Sequence, residues 1–289
     1  MMHATDNSLA ALEVQLQQRF PQRLVQLADG AQAIREAGHG PAIVLLHGIG
    51  SGAASWLQVA VQLSQRARVI AWDAPGYGAS SPLATAAPKA PDYARRLRQL
   101  LDALHIDSCV LVGHSLGALS AAALAYQQPQ RIRRLVLISP ARGYGDPARA
   151  EQAGEVRSKR LHALEQLGIA AMASQRSAHM LSPAASAEAR AWVQWNMARL
   201  IPQGYRQAIE LLCGDDLLRY ADLAVPCEVH CGAADSITTP ADCQTLAGTL
   251  GAPLQLIAEA GHASPIEQPE VVATLLAHAL DVSLTGTAL

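Results

Sequence analysis

The feature that most constrains this chain is residues 110–126, VLVGHSLGALSAAALAY, where an apolar run passes through a glycine-flanked serine into an alanine-rich stretch. The pattern predicts a strand, a sharp turn and a helix. Gly113 and Gly117 leave room for a strained backbone at Ser115, and such a turn exposes the serine at the edge of a sheet. The first amides of the following helix then face any group that Ser115 contacts. We therefore predict a nucleophilic serine at the end of a central strand.

Apolar runs alternate with helical patterns along most of the chain. The run over residues 42–46 is continuously apolar, as is typical of a strand covered on both faces. The other candidate strands are residues 68–72, 109–112, 133–139, 225–231 and 253–257. A hairpin precedes them, because residues 23–27 and 31–35 flank an Asp29-Gly30 turn. The alternation predicts an α/β fold with a doubly wound, mostly parallel sheet. Ligands are expected at the carboxyl ends of its strands.

One segment differs from the rest, because in residues 141–212 helical patterns follow one another without an apolar strand between them. Gly168 interrupts the first of these patterns. We interpret the segment as a helical lid inserted into the sheet domain. The predicted organisation has three parts: an N-terminal helix (1–22), a core (23–140 and 213–289) and the helical lid insertion (141–212).

Both ends of the chain also carry helical patterns. The leucines and the valine within residues 1–20 recur at helical spacing among Gln, Glu and Asn, which predicts a short amphipathic helix. A final helix is predicted over residues 265–280, and residues 283–289 have the composition of a frayed tail.

Charge and composition favour small-molecule chemistry. Lys+Arg of 22 against Asp+Glu of 24 gives a formal net charge of -2, so neither nucleic acid nor an anionic membrane is an expected partner. The first residues contain no apolar run of signal-peptide or membrane-span length, and we predict a cytoplasmic protein. Five cysteines lack a paired spacing and the histidines lack metal-ligand spacing. No disulfide framework, metal or cofactor is therefore expected, whereas a homodimer is left open.

A serine hydroxyl is a weak nucleophile near neutral pH and needs a base that an acid orients. Asp235 follows the strand predicted over residues 225–231, and His262 follows the one over residues 253–257. Both therefore lie at carboxyl ends of strands, as Ser115 does. The chain order Ser, Asp, His is one in which these three roles are known to occur. We predict that His262 is the base and that Asp235 orients it.

Five stretches in this order resemble the α/β-hydrolase fold family along nearly the whole chain after the first helix: LLHGIGSG (45–52), DAPGYGAS (73–80), GHSLG (113–117), GAADSITTP (232–240) and GHASPIEQP (261–269). The resemblance implies a hydrolase in which the amides of Ile49 and Leu116 form an oxyanion hole. His47 is then expected to hold the oxyanion loop. Asp73 is expected to fix a loop behind the site.

Within that family, HGIGSGAASW and DAPGYG are similar to stretches of enol-lactone hydrolases and of meta-cleavage-product (carbon–carbon bond) hydrolases of aromatic degradation. The carbon–carbon hydrolases usually place Trp directly after the catalytic His, whereas Ala263 follows His262 here. The resemblance therefore favours a serine hydrolase that cleaves a carboxylic ester or lactone through an acyl-enzyme on Ser115. Two alternatives stay open, namely carbon–carbon cleavage of dienoates and a non-catalytic ligand receptor on the same fold.

The substrate pocket is predicted between Ser115 and the lid. Trp192 and Trp195 are three residues apart in a predicted helix, so their indoles share a face that bears on substrate or on neighbouring lid helices. His114 is a further candidate for lining the pocket. The lid is also rich in arginines, most of them expected on solvated faces, and one turned inward would bind a substrate carboxylate: Arg142, Arg157, Arg160, Arg176, Arg190, Arg199 and Arg206.

Overall fold

A computed structural model describes residues 2–285, with side chains described for residues 7–285. The described chain forms a single eight-stranded sheet, whose strands in chain order are β1 (Gln22–Leu27), β2 (Gly30–Ala37), β3 (Ala42–Leu46), β4 (Arg68–Trp72), β5 (Cys109–His114), β6 (Ile132–Ile138), β7 (Cys227–Gly232) and β8 (Leu254–Ile257). Their spatial order is β1-β2-β4-β3-β5-β6-β7-β8. The pairs from β4 to β8 are parallel, and only β1 with β2 and β2 with β4 are antiparallel. The predicted mostly parallel sheet is confirmed.

The α-helices surround this sheet, and in chain order those of the described residues are α1 (Met2–Arg19), α2 (Leu57–Leu63), α3 (Ala90–Ala103), α4 (Gly117–Gln127), α5 (Ala150–Arg176), α6 (Ala187–Met197), α7 (Pro202–Gly214), α8 (Pro240–Leu250), α9 (Ser264–Glu267) and α10 (Pro269–Thr285). All residues of β3 and β5 are buried. Helix α2 packs on α10 and α3 packs on α4. Both faces of the central strands are therefore covered, which explains their continuous apolar sequences.

The predicted hairpin and N-terminal helix are both present. Strands β1 and β2 pair through the turn at Gly30, whose φ of 118° favours glycine. Helix α1 buries Leu12 and Leu16 on one side and leaves Val14 half exposed. The Arg35 guanidinium on β2 donates to the carbonyl of Phe20 at 2.8 Å. This hydrogen bond fixes the end of α1 against the sheet.

Residues 141–212 contain α5, α6 and most of α7, and these helices lie between β6 and β7 in the chain. Within this described segment no strand of the sheet is present. Helix α5 is kinked at Gly168, where φ is 72° and ψ is 173°. The glycine that interrupts the helical pattern in the sequence therefore marks a real break in the helix.

The C-terminal prediction needs two corrections. The single helix expected over residues 265–280 is two helices, α9 and α10, because Gln268 has a non-helical backbone, with φ of -133° and ψ of 57°, and Pro269 begins a new helix after it. Helix α10 then continues to Thr285, so the residues from Ser283 to Thr285 are helical and not a frayed tail. The rest of that predicted tail lies outside the described residues. No helix of the described chain is long and apolar enough to cross a bilayer.

Candidate active site

Ser115 lies at the sharp turn between β5 and α4, with a left-handed φ of 53°. This conformation is strained for a residue with a side chain, so its neighbours must allow a close approach of the backbone. A Cβ at Gly113 would lie 2.7 Å from the Cα of Ala118, and one at Gly117 would lie 2.6 Å from the carbonyl oxygen of Leu46. Both glycines of the motif are therefore required by space, whereas the left-handed backbone conformation is that of Ser115 itself.

Three side chains predicted from separate strand ends meet in one chain of hydrogen bonds. Ser115 Oγ lies 2.9 Å from His262 Nε2, and His262 Nδ1 lies 2.9 Å from Asp235 Oδ2. Each of the three residues is at most 5% exposed. The distances fit a hydroxyl that donates to Nε2 and an Nδ1–H that donates to the carboxylate. The structure thus brings Ser115, Asp235 and His262 together as the spacing of the motifs predicts.

The Asp235 carboxylate is held by more than the imidazole. Its Oδ1 accepts from the backbone N–H of Ile237 at 2.8 Å and of Thr238 at 3.1 Å, and Thr238 Oγ1 lies 2.9 Å from its Oδ2. Burial alone would raise the pKa of this carboxyl, but hydrogen bonds and charge from His262 and the Ile237 amide outweigh it and lower the pKa to about 2. Asp235 therefore stays ionised at neutral pH.

The loop that carries Asp235 and the loop that carries His262 cross in direct contact. A Cβ at Gly232 would lie 2.1 Å from the carbonyl oxygen of Gly261. Thr238 Oγ1 also lies 3.0 Å from the carbonyl of Ser139, so its side chain joins the acid loop to the end of β6. The sequence analysis assigned no role to Thr238, whose only signal was its place three residues after Asp235.

Glu267 is a second residue that the sequence analysis missed. Its carboxylate accepts from the backbone N–H of Gly261 and from that of Ser182, both at 2.8 Å. The N–H of Ala263 also donates to the carbonyl of Met180 at 2.8 Å. These bonds attach the loop of His262 to the segment between α5 and α6. Only the position of Glu267 inside the GHASPIEQP stretch could have indicated this role.

The loop after β3 lies directly against the serine. A Cβ at Gly48 would lie 2.9 Å from Ser115 Cβ. His47 Nδ1 donates to the carbonyl of Gly48 at 2.8 Å, while its Nε2 accepts from the Ala74 N–H at 2.9 Å. Burial lowers the pKa of His47, which keeps the imidazole neutral and suited to this pair of bonds. His47 has the loop-holding contacts that the resemblance implies.

Two further residues fix the same region. Tyr77, which the sequence analysis did not single out, donates its hydroxyl to the carbonyl of Ile49 at 2.9 Å. Asp73 Oδ1 accepts from the N–H of Ala53 at 2.8 Å, as expected of a residue that fixes a loop. Ile49 and Leu116 line the same cavity as Ser115. The two residues whose amides are predicted to form an oxyanion hole therefore lie at the cavity beside Ser115.

A cavity of about 760 Å³ lies over Ser115 and His262. Its floor, as we call it, consists of the loops at the carboxyl ends of β3, β5, β7 and β8. Its roof consists of the side chains that α5, α6, α7 and the residues flanking them turn toward the cavity, including Met172, Met197 and Tyr205. The volume suits a small organic molecule.

His114 does not line this cavity, so its assignment to the pocket is wrong. Its Nε2 lies 2.8 Å from the carbonyl oxygen of His262, and the two rings are 5.1 Å apart. The side chain is 4% exposed. Burial, together with the nearby charge of His262, lowers the pKa of His114 to about 3. His114 therefore supports the His262 loop from behind as a neutral group.

The assignment of Trp192 and Trp195 to the pocket is also wrong. The two indoles stack at 4.4 Å between ring centroids, so they do share one face of α6. That face packs against α1, where Trp195 Nε1 donates to the Glu13 carboxylate. The Arg199 guanidinium lies 3.3 Å from the centre of the Trp195 ring. Neither indole lines the cavity over Ser115, because α6 turns these positions toward the N-terminal helix.

Within residues 7–285 no group of three or more His, Cys, Asp or Glu side chains is placed to hold a metal ion. All five cysteines are free, and four of them are buried. What the arrangement offers chemically is a serine hydroxyl beside an imidazole that an ionised carboxylate orients, under a cavity of small-molecule size.

Known proteins resemble this chain over different parts of its length. A 3-oxoadipate enol-lactonase of Acinetobacter baylyi is 27% identical over 238 residues, which cover 80% of this chain and 85% of that protein. A 2-hydroxy-6-oxononadienedioate/2-hydroxy-6-oxononatrienedioate hydrolase of Cupriavidus pinatubonensis is 35% identical over 135 residues, or 44% of this chain and 46% of that protein. An uncharacterized protein of Mycobacterium tuberculosis is 47% identical over 109 residues, but this stretch spans only 37% of this chain and 31% of that protein.

A solved structure of similar fold is an esterase from Thermogutta terrifontis, with a TM-score of 0.79 at 22% identity, covering 91% of this chain and 98% of the esterase. At that identity the likeness concerns the fold. The sequence model of the α/β hydrolase fold matches residues 41–269, which is most of the chain and contains every residue of the hydrogen-bonded site. The protein therefore belongs to the α/β-hydrolase fold family.

Proposed function

We propose that the protein is a serine hydrolase that cleaves a small-molecule carboxylic ester or lactone through an acyl-enzyme on Ser115. The observation that carries the proposal is the unbroken hydrogen-bonded sequence Ser115–His262–Asp235 beneath a cavity. A serine in this setting has both the base and the orienting acid that its activation needs.

In the first half-reaction, Ser115 Oγ adds to the carbonyl carbon of the substrate while His262 Nε2 takes the hydroxyl proton. The carbonyl oxygen becomes an oxyanion that the amides of Ile49 and Leu116 stabilise. The carbon–oxygen bond to the leaving group then breaks, and His262 returns the proton to that oxygen. Asp235 stabilises the imidazolium between these two transfers. In a lactone the leaving alcohol stays attached to the acyl group.

In the second half-reaction, water replaces the alcohol. His262 removes a proton from the water as its oxygen adds to the acyl carbon, and the same oxyanion forms again. Collapse of this intermediate breaks the bond to Ser115 Oγ, which regains its proton from His262. The products are a carboxylic acid and an alcohol, and Ser115 is ready for another cycle.

Two features rank ester or lactone hydrolysis above carbon–carbon cleavage. The similarity to the enol-lactonase extends over 80% of this chain, whereas that to the 2-hydroxy-6-oxononadienedioate hydrolase covers 44%. Ala263, at 3% exposure, also occupies the position after His262 where carbon–carbon hydrolases usually have Trp. Carbon–carbon cleavage of a dienoate remains the second candidate because of the 35% identity within the shorter stretch.

A ligand receptor without catalysis is the remaining alternative. A receptor on this fold has no need for a buried base and acid aligned on a strained serine. Strain of this kind costs free energy, on the order of 1–3 kcal/mol, and is retained mainly at functional sites. The aligned groups therefore favour an enzyme.

The test compares Ser115→Ala with Ser120→Ala, which alters another buried serine, on helix α4, for which the described residues show no hydrogen bond to a histidine. Turnover is measured on p-nitrophenyl esters, simple lactones and ring-cleavage dienoates, together with labelling by a fluorophosphonate. We expect Ser115→Ala to abolish labelling and lower kcat by at least about 10³-fold, and Ser120→Ala to retain both. Turnover of Ser115→Ala at a tenth of the wild-type rate would overturn the proposal. A preference for dienoates by orders of magnitude in kcat/KM would reverse the ranking.

A further inference from the structure

The cavity over Ser115 is strongly cationic. Among the described residues, its lining includes four arginines, of which two belong to α5, and a single carboxylate, Asp242. The arginines are Arg142, Arg149, Arg160 and Arg176. Small-molecule pockets are mostly apolar and carry only a few charged groups that fix orientation. We therefore relate the excess of positive charge in the cavity lining to the charge of the ligand.

Two of the four arginines are already occupied by the protein. Arg142 forms ion pairs with Asp216 at 2.9 Å and with Asp146 at 2.8 Å. Arg149 lies 4.4 Å above the ring of Tyr144 and donates to a backbone carbonyl. Neither guanidinium needs a further partner, so both are accounted for by the structure of the loop after β6.

Arg160 and Arg176 are different, because among residues 7–285 neither guanidinium has an ion pair with a carboxylate or lies over an aromatic ring. Arg160 Nη1 donates to Tyr205 Oη at 3.1 Å. Burial and the neighbouring charge of Arg160 lower the pKa of Arg176, and Tyr205 opposes this shift only in part. Two like charges thus line one cavity, each on a residue that is only partly exposed. Such an arrangement is unfavourable unless an anion joins it.

Tyr205 supplies a third donor at the same place. Its side chain is 3% exposed and lines the cavity. Because its hydroxyl oxygen accepts from Arg160, its own O–H can donate to an acceptor in the cavity. Two guanidinium groups and this O–H together offer the set of donors that a carboxylate accepts.

The group of donors lies on the Ile49 side of the cavity. The Tyr77 hydroxyl donates to the Ile49 carbonyl at 2.9 Å. A Cβ at Gly76 would lie 2.5 Å from the Cα of Gly204, so the loop of Tyr77 contacts the start of α7, which carries Tyr205. The anion of a bound molecule would therefore lie in the roof above the oxyanion loop. The reacting carbonyl of the same molecule would lie at Ser115 in the floor.

We propose that Arg160, Arg176 and Tyr205 form a carboxylate subsite, so that the substrate is an ester or lactone carrying a second, ionised carboxyl group. The inference rests on the proposed function for the identity of the reacting bond. The assignment of the subsite itself depends only on the contacts of Arg160, Arg176 and Tyr205. The other lid arginines do not contribute, because Arg157, Arg190, Arg199 and Arg206 do not line the cavity.

The kinetic test uses two esters that differ only in charge, the mono-p-nitrophenyl ester of glutaric acid and p-nitrophenyl methyl glutarate. We expect the wild-type protein to prefer the carboxylate ester in kcat/KM. Arg160→Gln and Arg176→Gln should each lower kcat/KM on this ester by about 10- to 100-fold, since each loses a hydrogen bond to a charged group. Their kcat/KM on the neutral ester should change less than about threefold.

Arg157→Gln is the matched control, because it removes a charge from the same helix that is paired with Glu210 at 3.0 Å. It should leave the preference between the two esters unchanged. Tyr205→Phe should lower it by less than either arginine variant, since only one neutral donor is lost. A wild-type protein that hydrolyses both esters equally, or a preference that survives in Arg160→Gln and Arg176→Gln, would overturn the subsite and leave the proposed hydrolysis intact.

A binding measurement separates the subsite from the chemistry. Calorimetry with Ser115→Ala should detect monomethyl glutarate binding at least about tenfold more tightly than dimethyl glutarate, and adding Arg176→Gln should remove the difference. If the wild-type protein hydrolyses no ester but this difference is present, the subsite stands and the proposed function fails. Equal binding of the two compounds contradicts the subsite whatever the kinetics show.

Discussion

The floor and the roof of the cavity are built on different principles. In the floor, the side chains that carry the proposed chemistry have their polar partners within the protein. Asp235 accepts from two backbone amides and from His262, and His47 is satisfied on both ring nitrogens. In the roof, Arg160 and Arg176 face the cavity without an acidic partner among the described residues.

This difference indicates that the floor and the roof have separate functions. A floor that is complete without a ligand is preorganised for a reaction that many substrates share. A roof with unpaired cations is complete only when a molecule of the right charge is bound. We infer that the floor determines which bond breaks and that the roof determines which molecules enter.

The largest effect on kcat is expected from a variant that removes a charge from the floor and keeps the shape of the side chain. Asp235→Asn keeps the size of the side chain but removes the charge that holds the His262 Nδ1–H. We expect kcat to fall by about 10³- to 10⁴-fold on charged and neutral esters alike. The measurement is steady-state kinetics on both glutarate esters.

Asp222→Asn, an exposed position before β7, serves as the control and should behave as the wild type. A loss confined to one of the two esters would contradict the assignment of Asp235 to the floor.

A smaller effect is expected where floor and roof are joined. Glu267→Ala removes the acceptor of the Gly261 and Ser182 amides. Because two backbone donors lose their partner, the free energy of unfolding should fall by about 1–3 kcal/mol. The loosened His262 loop should lower kcat by about tenfold. Denaturant unfolding and kinetics measure the two effects.

Glu270→Ala is the matched control, since Glu270 is exposed at the start of α10. If Glu267→Ala destabilises the protein no more than Glu270→Ala does, the two loops are not joined through this carboxylate.

Much of the floor could be predicted from the sequence because its residues are required locally. Gly113 and Gly117 are imposed by the turn at Ser115, and the positions of Asp235 and His262 follow from the ends of parallel strands. These are short-range constraints that leave a pattern along the chain. The sheet could be predicted for the same reason, since a buried parallel strand needs a continuous apolar run.

The roof and the supports of the floor depend on contacts between distant residues. Nothing near Trp195 in the chain indicates that its indole meets Glu13 on α1, and the helical spacing gave a shared face without its direction. The pairing of Arg157 with Glu210 and that of Arg160 with Tyr205 join residues distant in the chain and could not be predicted from the sequence either. The same is true of the link from Glu267 to Ser182.

A pH-dependent prediction concerns His114 beneath the floor. Burial and the charge of His262 lower its pKa from the ordinary 6.5 to about 3 in the folded protein. The unfolded chain therefore binds more protons below pH 6.5, and stability falls as the pH drops from about 6.5 toward 3. Urea unfolding at pH 7.5 and at pH 5 should show a smaller acid-induced loss for His114→Gln than for the wild type.

The exposed His278 on α10 provides the comparison, because His278→Gln should keep the acid sensitivity of the wild type. Equal loss of stability in His114→Gln and the wild type would mean that His114 is not buried in its neutral form.

The smallest effect is expected at the indoles that pack away from the cavity. Trp195→Phe keeps an aromatic ring against Trp192 but removes the hydrogen bond to Glu13. We expect kcat/KM to change less than about twofold for short and long acyl esters alike. A changed preference for acyl chain length would place Trp195 in the roof after all.

The most direct test of the account is to identify the atom that becomes acylated. Wild-type protein is mixed with p-nitrophenyl acetate, quenched in acid within milliseconds and analysed by intact and peptide mass spectrometry. The account predicts an added acetyl group on the peptide that contains Ser115, and none in Ser115→Ala. Rapid release of p-nitrophenol with no acetyl group at Ser115, or with the group on another residue, would contradict it.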